Sequence, residues 1–133
     1  MPRNRLTLCE RMMRDWLVVG VAGELDLAST PELVVVLRER FQRGSPRVCL
    51  DLTATTFIDS TGLSALLNAK RAAERAGAEF VVVVAETGAV NRAIAVTKLG
   101  RLVPILPATH ATVACDSNPA QHAGCQHVGY ELD

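Results

Sequence analysis

The stretch Asp51-Leu-Thr-Ala-Thr-Thr-Phe-Ile-Asp-Ser-Thr-Gly62 decides the fold, because a strand, a polar turn and a helix start follow one another around it. The apolar run from Val48 to Leu52 is typical of a buried strand. Residues 59–62 predict the cap and first turn of a helix that continues to about Ala76, where the next residue is a glycine. Ser60 is therefore expected at a helix N-terminus, where free N–H groups and the helix dipole favour negative charge.

Apolar periodicity and turn residues predict the other elements. We expect strands at Leu6–Glu10, Trp16–Ala22, Glu79–Val84 and Leu102–Leu106. We expect further helices from Ser29 to about Phe41, from Ala89 to Lys98 and from Ala108 to Ala114. Ser29 and Glu32 have the spacing of a capping box, and Gly23–Asp26 indicates a polar loop. This alternation predicts an α/β fold with a parallel or mixed sheet and right-handed crossovers.

Length and charge restrict the class of protein. A chain of 133 residues fits one domain, for which we expect residues 1–115, followed by a flexible tail at 116–133 that lacks periodicity. The 14 basic and 14 acidic residues cancel, which argues against direct binding of nucleic acid or of a membrane surface. The longest apolar run, Phe80 to Ala85, is too short to cross a bilayer, and no signal peptide is evident. A cytoplasmic location follows.

Cysteines and histidines suggest no metal or redox centre. Cys9, Cys49, Cys115 and Cys125 contain no Cys-x-x-Cys pair, so unpaired thiols are expected, with Cys49 as a small buried apolar residue. The tail cysteines could pair when oxidised. The pattern His122-x-x-Cys125-x-His127 lacks the four ligands and the ordered scaffold of a structural zinc site.

Three other interpretations of Asp59-Ser60-Thr61-Gly62 lack the spacing or the partner residues that they need. An aspartic protease needs two carboxylates sharing a proton, and a serine hydrolase needs a Gly-x-Ser-x-Gly elbow with a histidine base. A nucleotide-binding loop needs more glycine and a lysine. Two interpretations stay open on the residues alone: Ser60 caps its helix, or it has a function at the surface.

A family resemblance selects between them. Three segments carry the resemblance: Gly23-Glu-Leu-Asp26, the segment from Leu52 to Leu63, and Thr97-x-Leu99-x-x-Leu102. Through them the chain resembles the STAS domain, and more narrowly the bacterial anti-sigma factor antagonists (anti-anti-sigma factors). The resemblance covers about residues 5 to 115. It implies a single STAS-type domain, with a small mixed, mostly parallel sheet and helices packed mainly on one face.

The resemblance also implies a function and a site. Ser60 would be the regulatory phosphoacceptor, with Thr61 as second choice, and Asp26 would lie near it at the partner surface. The implied partner is an anti-sigma factor that is also a serine kinase; ATP and magnesium belong to that kinase, and a serine phosphatase resets the system. The unphosphorylated antagonist would capture the anti-sigma factor and release sigma factor for transcription. The chain itself would catalyse nothing and hold no cofactor or metal.

The chemistry of the segment agrees with such a switch. Phosphorylation adds roughly −1.5 to −2 charges, which the N–H groups of Thr61, Gly62 or Leu63 could accept at the helix start. We expect Asp26, Asp59, Ser60, Thr61 and Gly62 to form the partner-binding surface, where the new charge would repel the partner. A STAS scaffold subunit of a larger sensory or transport assembly is the alternative function, and a small hydrolase using Asp59 and Ser60 is a third.

Overall fold

A computed structural model describes residues 6–108 of the chain. In chain order these residues form strands β1 (Thr7–Met13) and β2 (Trp16–Leu25), helix α1 (Thr30–Gln42), strands β3 (Arg47–Asp51) and β4 (Thr55–Ile58), helix α2 (Ser60–Ala76), strand β5 (Glu79–Val84), helix α3 (Ala89–Thr97), a short 3-10 turn (Leu99–Arg101) and strand β6 (Ile105–Pro107).

The strands form one mixed sheet in the order β1-β2-β3-β5-β6, with β4 paired to the far end of β2. The hairpin of β1 and β2 is antiparallel, and every other pair is parallel. The predicted α/β class and the mixed, mostly parallel sheet are therefore confirmed. β1 and β6 are the edge strands, as their weak or proline-containing sequences predict.

The main core lies between the sheet and the helices. Leu33, Val36 and Leu37 of α1 pack there, and the rings of Phe41 and Phe80 meet edge to face at 6.0 Å. Helices α2 and α3 contribute to the same cluster, so the helices cover one face of the sheet as predicted. A second, smaller cluster on the described residues draws only on strands, with Val18, Cys49 and Val83 fully buried.

Two sequence predictions were wrong around residue 25. Gly23–Leu25 continue β2 instead of forming a loop, and Thr55–Ile58 form a strand that the sequence analysis missed. The two segments pair with each other, after a register shift between Gly23 and Glu24. Each stabilises the other as a strand, because the pairing gives backbone N–H and C=O groups of both segments hydrogen-bond partners.

Helix α2 forms as predicted. It begins after Asp59 and ends at Gly77, whose φ of 73° is the left-handed conformation typical of a glycine at a helix C-terminus. Leu66 and Ala73 are buried on its inner face, whereas Ala76 in its last turn is exposed. Within residues 6–108 no helix has the length and apolarity needed to span a membrane.

Several predictions fall outside the described residues. These are the domain boundary at residue 115, the tail at 116–133, most of the expected helix from Ala108, and the candidate ligands His122, Cys125 and His127. Cys49 is buried, as expected. Cys9 is disulfide-bonded, which contradicts the expectation of unpaired thiols for that residue.

A largely buried ion pair connects β1 to α1. Arg40 Nε lies 3.1 Å from each carboxylate oxygen of Glu10, and the two side chains are 13% and 9% exposed respectively. Burial raises the pKa of Glu10, although the neighbouring Arg40 guanidinium acts in the opposite direction. Desolvation of the carboxylate therefore outweighs its attraction to arginine.

The raised pKa predicts a pH dependence. Since the folded protein holds the Glu10 proton more tightly than the unfolded chain, stability should fall as pH rises from the ordinary carboxyl pKa through the raised one. Urea denaturation of the wild type and of Glu10→Gln across that window should show the wild type losing stability relative to the variant. A difference that changes in the opposite direction would mean that the attraction to Arg40 dominates.

Candidate functional site

Ser60 is the first residue of α2, and its side chain is exposed. Asp59 precedes it in an extended conformation and caps the helix, because its Oδ1 accepts a hydrogen bond of 3.1 Å from Gly62 N. The Asp59 carbonyl accepts a second bond, of 2.9 Å, from Leu63 N. The serine hydroxyl is thus presented to solvent by a helix start whose geometry is fixed from the residue before it.

The end of β2 brings Asp26 to the same place. Leu25 pairs with Ile58 in the sheet, and Asp59 N donates a 3.1 Å hydrogen bond to Leu25 O. Asp26 and Asp59 therefore follow neighbouring parallel strands at the edge where both strands end. The structure thus brings the Gly-Glu-Leu-Asp segment beside Ser60, as the family resemblance implied.

The Asp26 carboxylate organises the loop that leads into α1. Its Oδ1 accepts hydrogen bonds of 3.0 Å from Ala28 N and from Ser29 N, and Thr30 N donates to the Asp26 carbonyl at 2.9 Å. The buried Ser29 hydroxyl donates to the Glu24 carbonyl and accepts from Asp26 N. The loop is thereby held in one conformation, with the exposed Leu27 at its tip.

The predicted capping box at α1 does not form. Ser29 is the N-cap residue by position, but its hydroxyl makes no capping hydrogen bond. The Glu24 carbonyl and the Asp26 N–H occupy that hydroxyl instead. The capping box is thus replaced by the hydrogen bond from Ser29 to the Glu24 carbonyl, which lies in the last residues of β2.

A groove between the first turns of α1 and α2 contains the serine. Its volume is about 550 Å³, and its lining includes Thr30 and Val35 from α1 and Ser60, Thr61, Ser64 and Asn68 from α2. The Thr30 hydroxyl is buried and has no hydrogen-bond partner within residues 6–108. Thr30, Ser64 and Asn68 were not predicted from the sequence. The spacing of Ser60, Ser64 and Asn68, four residues each, was the available signal for a common helix face.

Fewer backbone donors face Ser60 than expected. Of the three N–H groups predicted to receive a phosphate, those of Gly62 and Leu63 already donate to Asp59. The Thr61 N–H is the one of the three without an acceptor among the described residues. Fewer N–H groups are free than expected, because the helix cap and a phosphate would use the same donors.

Gly62 is needed for packing. It is buried, and a Cβ built on it would lie 2.6 Å from Ile58 Cγ1 and 3.1 Å from both Leu25 Cβ and Leu25 O. The first turn of α2 therefore rests directly on the paired ends of β2 and β4. The partner contact expected of Gly62 stays a prediction.

The described residues present no metal site. No group of three or more His, Cys, Asp or Glu side chains within residues 6–108 is placed to hold a metal ion. The three histidines of the chain, at positions 110, 122 and 127, lie outside this range. The candidate site groups the exposed Ser60 with Asp26 and Asp59, which follow the paired ends of β2 and β4.

Comparison with protein families gives one match. The family described as "Mlab, STAS domain" matches residues 10–105, which is most of the chain. No curated protein matches the sequence.

Solved structures share the fold. An anti-sigma factor antagonist from Mycobacterium paratuberculosis is 25% identical with a TM-score of 0.71, over 86% of this chain and 98% of that one. The antagonist SpoIIAA in its unphosphorylated form is 17% identical with a TM-score of 0.64, over 84% of this chain and 99% of that one. The murine anion transporter Slc26a9 is 15% identical with a TM-score of 0.57, and the match covers 84% of this chain but 22% of the transporter.

The contact at Gly62 predicts a strong effect of a single methyl group. Gly62→Ala should lower the free energy of unfolding by about 1–3 kcal/mol, because the added Cβ would lie 2.6 Å from Ile58 Cγ1 and 3.1 Å from the Leu25 carbonyl oxygen. Gly100→Ala is the matched control, since its Cβ would meet nothing closer than 3.8 Å. Equal stabilities of the two variants in urea denaturation would contradict the packing described for α2.

The cap predicts a difference between two substitutions of Asp59. Asp59→Ala should reduce the free energy of unfolding by about 1 kcal/mol, because Gly62 N loses its acceptor. Asp59→Asn keeps a capping oxygen and should lose only a few tenths of that. Thermal and urea unfolding of both variants measure the difference; a stable alanine variant would show that the cap is dispensable.

Proposed function

Since this chain belongs to the STAS domain family, we propose that it is an anti-sigma factor antagonist controlled by phosphorylation of Ser60. In its unmodified form it binds an anti-sigma factor that is also a serine kinase, and so releases sigma factor. The observation that carries the proposal is the exposed Ser60 at the start of α2, where the paired ends of β2 and β4 also bring Asp26 and Asp59, each held by hydrogen bonds.

The surroundings of Ser60 suit recognition by a protein. Leu27 and Val35 expose 74% and 56% of their area, which is unusual for apolar side chains and gives a partner surface to bury. Asp26 and Asp59 add hydrogen-bond acceptors beside them. Since hydrogen bonds hold both loops in place, little conformational entropy would be lost on binding.

A phosphate on Ser60 would act on binding rather than on folding. Ser60 is exposed and its hydroxyl takes part in none of the described hydrogen bonds, so its modification would break none of them. The added charge of roughly −1.5 to −2 would stand beside Asp26 and Asp59, with few free N–H groups to neutralise it. A penalty of about 3 kcal/mol in the complex would weaken binding about a hundredfold.

The proposed partners follow from this chemistry. The kinase supplies ATP and magnesium, and a serine phosphatase removes the phosphate. We propose Ser60 as acceptor before Thr61, because Ser60 is exposed whereas Thr61 is half-buried. SpoIIAA, a Bacillus cell fate determinant with the same fold, has been solved in a phosphorylated form. The chain itself would perform no catalysis, and it would act in the cytoplasm where these enzymes are found.

A second function, as a scaffold subunit in a transport assembly, has its own support. The matching family is described by the name Mlab, and the same fold forms part of an anion transporter. In that case the surface around Ser60 would bind a permanent partner, and phosphorylation would play no part. A hydrolase using Asp59 and Ser60 has less support, because no histidine lies among residues 6–108 to serve as a base.

Phosphorylation and binding assays test the proposal together. The purified protein is incubated with ATP, magnesium and each candidate anti-sigma kinase, phosphate is mapped by mass spectrometry, and affinity is measured by calorimetry before and after. Ser60→Ala should resist modification and keep its affinity. Ser60→Glu should stay folded and bind about a hundredfold more weakly, because it carries a permanent negative charge.

The neighbouring hydroxyl supplies the control. Thr61→Val should be phosphorylated like the wild type if Ser60 is the acceptor. Phosphate found outside Ser60 and Thr61, or equal affinity of the modified and unmodified forms, would refute the switch. Stable binding to another subunit of a transport assembly, with no effect of Ser60→Glu, would support the scaffold function instead.

A further inference from the structure

The groove that contains Ser60 continues along α1 and α2 to a basic end. Val34, Ala65 and Asn68 line both its first part and a second part of about 300 Å³. Leu37 and Phe41 line this second part from α1, where alanines of α2 leave room above them. From Ser60 to the far end of α2, the groove is about 22 Å long at 1.5 Å per residue.

Three arginines surround the far part of this groove. Arg38 projects from α1, and Arg71 and Arg75 project from α2. All three are exposed, and none has an ion-pair partner within residues 6–108. The other basic residues of the two helices, Arg40 and Lys70, are paired with carboxylates. The unpaired positive charge of α1 and α2 is therefore concentrated at the groove, in a chain whose formal net charge is zero.

We infer that this groove binds an acidic amphipathic helix of the partner protein, and this inference deepens the proposed function and rests on it for the partner's identity. A groove between two helices with an apolar floor suits the apolar stripe of a third helix. Guanidinium groups form paired hydrogen bonds with carboxylates, so Glu or Asp flanking that stripe would meet Arg38, Arg71 and Arg75. About four helical turns would fill the groove.

The same geometry connects the groove to the switch. Arg71 and Arg75 stand eleven and fifteen residues beyond Ser60 on one helix, which corresponds to about 16 and 22 Å. Both distances exceed the screening length of about 8 Å at physiological salt, so the arginines would not neutralise a phosphate on Ser60. An acidic helix would therefore be attracted at one end of the groove and, after phosphorylation, repelled at the other.

Designed peptides test the groove without knowledge of the partner. A helical peptide of about 16 residues with a leucine stripe flanked by glutamates is titrated into labelled protein and followed by NMR and fluorescence anisotropy. A second peptide carries lysine in place of glutamate. The acidic peptide should shift resonances of residues along the groove, and the basic peptide should not.

Charge reversal provides the decisive comparison. The double variant Arg71→Glu/Arg75→Glu should bind the acidic peptide about tenfold or more weakly than the wild type. The control variant Arg92→Glu/Arg101→Glu changes two exposed arginines outside the groove and should leave this affinity nearly unchanged. The inference would be overturned if the acidic peptide shifted only resonances outside the groove, or shifted none at millimolar concentration. It would also be overturned if the acidic and basic peptides bound equally well, or if a short DNA duplex bound as tightly as the acidic peptide.

The two proposals can fail separately. If an anti-sigma kinase binds in a Ser60-dependent manner but ignores the reversal of Arg71 and Arg75, the proposed function stands and the groove inference is wrong. If the peptide results hold and every candidate kinase fails to bind, the groove stands and the partner belongs to another class.

Discussion

The pairing of the last residues of β2 with β4 is the constraint on which the rest of the site depends. One backbone hydrogen bond, from Asp59 N to Leu25 O, joins the end of β2 to the start of α2. The loop into α1 leaves from one side of that bond, and the helix that carries Ser60 leaves from the other. Two segments distant in sequence are thus placed side by side by backbone contacts, before any side chain of the site takes part.

The sequence predicted those parts of the fold that local pattern determines. The buried run of β5 and the helix α2, with an acidic cap and a glycine at its end, could be read from consecutive residues. β4 could not, because a four-residue strand with Thr56 and Phe57 exposed has neither length nor a clear period. Its existence depends on a partner strand more than twenty residues away, which periodicity cannot detect.

The candidate site was predictable to a similar degree. Asp59 and Ser60 followed from capping rules, and the resemblance added Asp26, which the structure places on the adjoining strand end. The position of the Ser29 hydroxyl was not predictable, because the Glu24 carbonyl it contacts becomes available only through the way β2 ends. Thr30 and the basic end of the groove likewise depend on how α1 packs against α2.

The close contact beneath Gly62 has a consequence for whether the domain changes conformation when Ser60 is modified. The first turn of α2 lies so close to Ile58 and Leu25 that a Cβ at position 62 would not fit, and such close packing restrains movement of the helix against the strands. A phosphate at the N-terminus of α2 would then act only when a partner binds, and its removal would require no conformational change of the domain. The two states of the protein would then differ in surface charge alone, and repeated phosphorylation and dephosphorylation would leave the stability of the fold unchanged.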